Sequence, residues 1–223
     1  MTRINVITEG QTEETFVRDL LAPEFGRRNI FLTARSVETS RKNTTIYRGG
    51  LINYEKAKND IIRWLKQDKA SIVTTMFDFY ALPDSFPGMN MANQKKSNIK
   101  TKIELLESKF KEDINFGDRF IPYIQLHEFE GLLFTNIEII NKTMRFSEGD
   151  KSPDLSSIIN EFENPEMIND GKETAPSKRL LTLYPGYDKI TNGITIAKKI
   201  GLLEIRKKCP HFNEWLEKIE GVL

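Results

Sequence analysis

The chain has 223 residues, 39% of them apolar and 29% charged, and its 33 Lys and Arg almost cancel 32 Asp and Glu to a net charge of +1. That length supports one sizeable core, and the charge balance leaves any polyanion to be met by a local basic patch rather than by a global field. One cysteine, Cys209, and two histidines, His127 and His211, exclude an internal disulfide and a Cys/His zinc cage. The start Met1-Thr-Arg-Ile-Asn-Val-Ile is too short and too soon followed by Glu9 to read as a signal peptide, and no apolar run reaches membrane-spanning length. The expectation is a cytoplasmic protein with no membrane partner.

Residues 3–8, with β-branched Ile4, Val6 and Ile7, predict a buried strand broken by Glu9-Gly10. Thr12 is the predicted N-cap of a helix whose apolar face holds Phe16, Val17, Leu20 and Leu21. Residues 29–37 read as a second strand, and the polar, basic, glycine-terminated stretch 38–50 as a loop. Apolar spacing over 54–67 predicts a helix, and 71–77 a third strand. Residues 78–88, with two prolines and a glycine, read as a rigid irregular segment, followed by a basic run at 94–102 and a helix to about Phe110. The apolar stretch 119–126 is the fourth strand. Beyond Phe134, short helices are expected at 136–145 and 154–163, a mobile polar segment at 164–176, and two helices joined near Pro210 over 194–223.

Strands alternating with helices predict an α/β layer with a mainly parallel sheet of about four strands. Its expected span is 1–135, with 136–223 as a mostly helical extension packed on it.

Acids stand at the carboxyl ends of three of these strands. Glu9 and Glu13 flank the first strand-to-helix turn, Asp78 follows the third strand, and Glu128 and Glu130 follow the fourth. Open α/β sheets bind ligands at that edge, where adjacent strands lie about 5 Å apart, so carboxylates there fall within bridging range of one hard cation. On an extended backbone Glu128 and Glu130 would point the same way; if a helix begins at Glu128 they diverge. Oxygen donors with few histidines favour Mg2+ or Mn2+. Glu13 is also read as an ordinary first-turn acid favoured by the helix dipole, and Asp78 as a turn residue. His127, beside the acids, is either a proton shuttle or a satisfied strand-end residue.

Strand-Glu9-Gly-Gln-Thr-Glu13-helix, then strand-Asp78-x-Tyr80, then strand-x-Glu128-Phe-Glu130 resembles the Toprim metal-binding layout, closest to that of the overcoming-lysogenization-defect nucleases. A more specific likeness covers nearly the whole chain. Glu9-Gly-Gln-Thr-Glu-Glu-Thr-Phe-Val17, Asp78-Phe-Tyr-Ala-Leu-Pro83, Phe86-Pro-Gly88, Phe120 to Phe134, Ala175-Pro-Ser-Lys-Arg179 and Tyr187-Asp-Lys189 are similar to a prokaryotic domain-of-unknown-function family whose members often accompany an ABC-type ATPase in phage-defence loci. The resemblance implies a Toprim-like fold, a metal held by Glu9, Asp78, Glu128 and Glu130, a catalytic group of Glu9, Glu13, Asp78 and Lys189, and an ABC-type ATPase as a possible partner. By the same analogy Lys189 or Lys178 would stabilise charge on a phosphate. Tyr80 departs from the nuclease pattern, which has an aspartate there, and brings no full negative charge at neutral pH.

Two basic stretches, Arg35, Arg41, Lys42 and Arg48 in one and Lys95, Lys96, Lys100 and Lys102 in the other, follow strands on the acid side. They could flank a metal as phosphate-binding arms, together with Lys178, or be solvated faces. The expected function is a divalent-metal-dependent nuclease on DNA or RNA. The alternatives are a non-catalytic partner or regulatory module of an ABC-type ATPase, and a phosphohydrolase acting on a small phosphate ester. Neither a Walker-type nor a dinucleotide-type glycine turn is present.

Overall fold

The computed structural model describes residues 1–42, 45–48, 53–94, 98–144, 153–169, 171 and 174–222, with only the backbone described over 38–48. The central strand is β1 (Thr2–Thr8), with Ile4 to Thr8 all buried. The helical segment after it comprises α1 (Gln11–Phe16), a π-helical turn (Val17–Leu21) and α2 (Ala22–Gly26). Its N-cap is Gly10, not the predicted Thr12, which lies buried inside the first turn. The reason is Glu13, whose Oε2 reaches back to accept from the Gly10 N–H at 3.0 Å and so satisfies an amide left over at the helix start.

Strand β2 (Ile30–Ser36) pairs in parallel with β1. The predicted loop at 38–50 is corrected. Its described part is an antiparallel hairpin of β3 (Glu38–Lys42) and β4 (Thr45–Arg48), and residues 49–50 lie outside the described residues. With no apolar alternation, the sequence offered no signal beyond its Thr, Ile and Tyr content. Helix α3 (Tyr54–Gln67) is capped by Asn53, whose side chain accepts from the Glu55 N–H at 2.8 Å. Strand β5 (Ile72–Asp78) then pairs with the other side of β1. The irregular segment holds a 3-10 turn at Phe79–Ala81 and is followed by α4 (Met89–Gln94), absent from the sequence reading. Helix α5 (Ile99–Ile114) starts at an Asn98 cap and runs a turn beyond the expected end, stopping where Asn115 takes a left-handed φ of 54°.

The fourth strand is two pieces, β6 (Phe120–Ile121) and β7 (Ile124–Gln125), both parallel to β5. Pro122 cannot donate to the ladder and interrupts it. Two threonines of β5 close the gap: Thr74 Oγ1 donates to the Ile121 carbonyl at 2.6 Å, and Thr75 Oγ1 accepts from the Tyr123 N–H and donates to its carbonyl, both at 3.0 Å. The sheet order is β2-β1-β5-β6, with β7 also on β5.

The rest is helical: α6 (Ile137–Met144), α7 (Ser156–Asn160), α8 (Pro176–Leu183), α9 (Ile194–Ile200), α10 (Leu202–Lys208) and α11 (Pro210–Glu220). The 194–223 stretch holds three helices rather than two, because Gly201 at φ 83° ends α9. The segment expected to be mobile carries a 3-10 turn at Pro165–Met167 and the start of α8, while residues 170 and 172–173 lie outside the described residues. Glu166 in that turn is 1% exposed, and its carboxylate accepts from the His211 and Phe212 N–H groups at 2.9 and 3.0 Å, satisfying the first turn of α11.

Two apolar layers sandwich the sheet. Phe77, Val73, Ile61, Leu65, Leu106 and Phe110 form the α3/α5 side. Ile4, Val6 and Phe16 share the other with Leu133, Leu180, Phe212 and Trp215, so the C-terminal helices pack directly against the strands. Trp215 stacks on Tyr123 at 4.3 Å and 9°, and its Nε1–H donates to Thr74 Oγ1 at 2.8 Å. Among the described residues no helix is long and apolar enough to cross a membrane.

Replacing Trp215 by Ala empties this stack and is expected to cost about 3–5 kcal/mol. Trp215→Phe keeps most of the packing but leaves Thr74 without its donor, and should cost about 1–2 kcal/mol. Urea unfolding midpoints at unchanged slope measure both, and equal losses for the two variants would contradict the role given to the indole N–H.

Candidate functional site

The parallel register places the ends of β1, β5 and β7 side by side: Thr8 lies opposite Met76, and Asp78 opposite Gln125. The acids that follow these strands therefore meet at one edge. Glu9 Oε2 accepts from the Asp78 N–H at 3.3 Å, and Asp78 Oδ1 accepts from the Phe129 N–H at 3.1 Å. Glu128 Oε2 accepts from the Ser177 N–H at 3.0 Å, which ties the start of α8 to the edge. Glu130 is 1% exposed and faces Lys189, whose Nζ stands 3.1 Å from Oε1. All five predicted acids and Lys189 thus belong to one cluster.

Glu128 and Glu130 do not share one extended stretch. A 3-10 helix begins at Phe129 with Glu128 as its N-cap, and the two carboxylates turn to different partners, Ser177 and Lys189. The turn is entered through His127, which holds a left-handed φ of 62°. Its ring packs against Tyr80 at 5.4 Å between centroids, and its Nδ1 lies 3.4 Å from Asn169 Nδ2. Burial pushes the His127 imidazole down to about 4, so it is neutral at neutral pH. Tyr80 is 39% exposed and lies at the rim of the cluster.

Like charges gathered away from water raise one another's proton affinity. Burial, then the charge of Glu13, pushes Glu9 up to about 7 against the opposing pull of the Asp78 amide and Lys189. Burial pushes Glu130 to about 7 as well, with Lys189 pulling it back and Glu128 adding to the rise. Glu13 is raised chiefly by burial. Asp78 lies well above the carboxylate range, through burial and then the charges of Glu13, Glu9, Glu130 and Glu128. Burial works against the charge of Lys189, but Glu130 and Glu128 outweigh it and hold the ammonium above its usual range.

Two buried polar atoms at the cluster lack a hydrogen bond, Glu130 Oε1 and the Tyr187 hydroxyl. The Lys189 contact is an ion pair without hydrogen-bond geometry. Tyr187 sits against Gly193, where an added Cβ would lie 2.8 Å from its hydroxyl, so only glycine leaves room for it. Tyr187 and the backbone amides of Phe129 and Ser177 were not assigned roles from sequence, since an amide donor carries no residue-type signal.

Hard divalent cations take oxygen donors, and the cluster gathers five carboxylates against one ammonium. Among the described residues no group of three or more acid, His or Cys side chains is arranged so that it could hold a metal ion. The acids are turned instead to backbone amides and to Lys189.

The basic residues divide. Arg35 is exposed, with its guanidinium 4.9 Å over the Trp64 ring. Arg41, Lys42 and Arg48 lie on the β3–β4 hairpin, where only the backbone is described, and Lys95 and Lys96 lie outside the described residues. Lys178 is exposed in the first turn of α8, next to Ser177. Lys100 is paired with Glu214 at 3.0 Å on α11 and is not part of the acid edge.

An α/β protein whose parallel sheet gathers five acids and a lysine at its carboxyl edge is the class that fold and site define. The chain belongs to a family known by its description as a domain of unknown function (DUF4276), whose model matches residues 8–220. No curated protein and no solved structure matches it.

The raised carboxyls fix a pH dependence. A carboxyl whose folded pKa exceeds its unfolded value near 4.5 contributes stability below that value and loses it as pH rises through the folded pKa, here about 7 for Glu9 and Glu130. Without divalent metal, the protein should therefore gain about 2 kcal/mol from each of these two carboxyls between pH 8 and pH 5.5. Urea unfolding in chelator at the two pH values checks this, and Glu130→Gln should remove about half of the rise, leaving that of Glu9.

Proposed function

We propose that the protein is a Mg2+- or Mn2+-dependent phosphodiesterase acting on nucleic acid. The observation that carries this reading is the convergence of Glu9, Glu13, Asp78, Glu128 and Glu130 with Lys189 at one sheet edge, where burial and the mutual repulsion of the carboxylates favour added positive charge. In this reading Glu9, Asp78, Glu128 and Glu130 hold the cation. Such an ion would polarise a phosphate oxygen and make a bound water more acidic. Lys189, already charged, faces the phosphate oxygens and offsets the charge that builds on them. Glu13, with its raised proton affinity, takes the proton of the attacking water. The likeness of the acid spacing to the Toprim layout of the overcoming-lysogenization-defect nucleases supports the same assignment, and the family likeness supports a role in phage defence beside an ABC-type ATPase.

One observation favours a second reading, a non-catalytic module that docks on such an ATPase. Tyr80 stands where the nuclease pattern has a carboxylate, and the acids already have partners within the chain.

With Mg2+ or Mn2+, the purified protein should cleave DNA or RNA oligonucleotides, stop in chelator, and lose about 100-fold or more of its rate in Asp78→Asn and in Lys189→Met. Cleavage by Asp78→Asn at the wild-type rate would remove the assignment. Calorimetric titration with Mn2+ separates the two readings, because the non-catalytic module should show no binding that Asp78→Asn abolishes.

A further inference from the structure

The α3/α5 side of the sheet is only partly covered. Helix α3 lies over β1 and β5, and the edge strand β2 alternates buried and exposed residues, with Phe31, Thr33 and Arg35 on its open face. Together with Arg3 and Asn5 of β1, these residues line a groove of about 570 Å³ whose other wall is Trp64 and Gln67 of α3 and Asp68 just beyond it. Phe31 is 43% exposed, large for an aromatic ring on a strand. Arg35 lies over the Trp64 ring and has no ion pair among the described residues, whereas Arg3 is matched by Asp68 at 2.9 Å.

Met1 before β1, and Arg3 and Asn5 in its first half, also line the groove, and Arg35 is its lining residue nearest the acid edge. Arg35 lies opposite Ile7, two residues before Glu9, or about 7 Å along the strand. The β3–β4 hairpin follows directly on β2 at that end, and its sequence carries Arg41, Lys42 and Arg48 against a single acid, Glu38.

We infer that this groove binds a single-stranded polynucleotide, stacking its bases on Phe31 and on the Arg35–Trp64 pair and leading its backbone to the acid edge. Aromatic faces alternating with a cation provide sequence-tolerant stacking and phosphate attraction together. A duplex keeps its base faces buried in its own stack and cannot use those rings. The inference rests on the proposed phosphodiesterase reading for its biological meaning, and it narrows the substrate to a strand that is single or locally opened.

The test measures binding without cleavage. Oligo-dT and oligo-rU 12-mers and a 12-base-pair duplex are titrated into the full chain in chelator at low salt, with tryptophan fluorescence as the readout. The chain has two tryptophans, and Trp215 is buried in its stack with Tyr123, so quenching by added strand reports on Trp64. The single strands should quench and bind at least about tenfold tighter than the duplex, and Phe31→Ala and Arg35→Glu, both at exposed positions, should each weaken them about tenfold. Absent quenching, equal affinity for the duplex, or unchanged binding by both variants would overturn the inference. So would a dimer in sedimentation that Phe31→Ala dissociates, since the face would then be covered by a second copy. Quenching that persists in a protein with no metal-dependent cleavage would support the groove while overturning the phosphodiesterase reading, so the two fail separately.

Discussion

Five carboxylates and one ammonium share the edge where β1, β5 and β7 end, and holding like charges together away from water is unfavourable unless something compensates. Much of the surrounding architecture compensates. The Gly10, Asp78, Phe129 and Ser177 amides each donate to one acid, and Lys189 supplies the opposing charge. Several local features follow from this arrangement: a helix capped at Gly10, a 3-10 helix entered through His127, and an α8 whose first turn is tied to Glu128. The backbone at the edge is shaped around the carboxylates.

The sheet that carries this edge is built to tolerate an interruption. Pro122 divides the last strand, and Thr74 and Thr75 supply from their side chains the hydrogen bonds that the ladder loses. Thr74 also receives the Trp215 indole, so one hydroxyl joins β5, the β6 end and α11. The C-terminal helices are thereby bonded to the strands that position Asp78, and Glu166 secures the start of α11.

The alternation of strands and helices, the parallel sheet and the positions of all five acids were legible in the sequence, because burial imposes periodicity on strands and charge is conspicuous after an apolar run. The hairpin at β3–β4 was not, since an exposed polar hairpin has no apolar period to read. The divided fourth strand was hidden because Ile121 and Ile124 look continuous across Pro122 until the threonines that replace the ladder are in place. Glu128 and Glu130 left two geometries open, and what decided between them was a helical start at Phe129 that satisfies its own N–H with Asp78, a partner 51 residues away. Long-range pairings of that kind, such as Lys189 with Glu130, have no local signature. The Arg35–Trp64 pair likewise joins a strand and a helix that the sequence shows only separately.

Gly193 bears on charge as well as on shape. It closes a π-helical turn that begins at Lys189, and its missing side chain is the space into which the Tyr187 hydroxyl fits. The turn that carries Lys189, the only ammonium at the acid cluster among the described residues, thus ends in a residue whose lack of a side chain makes room for Tyr187. A change in volume there would act as a change in potential: it would shift how many protons the edge carries at a given pH without altering a single ionisable residue.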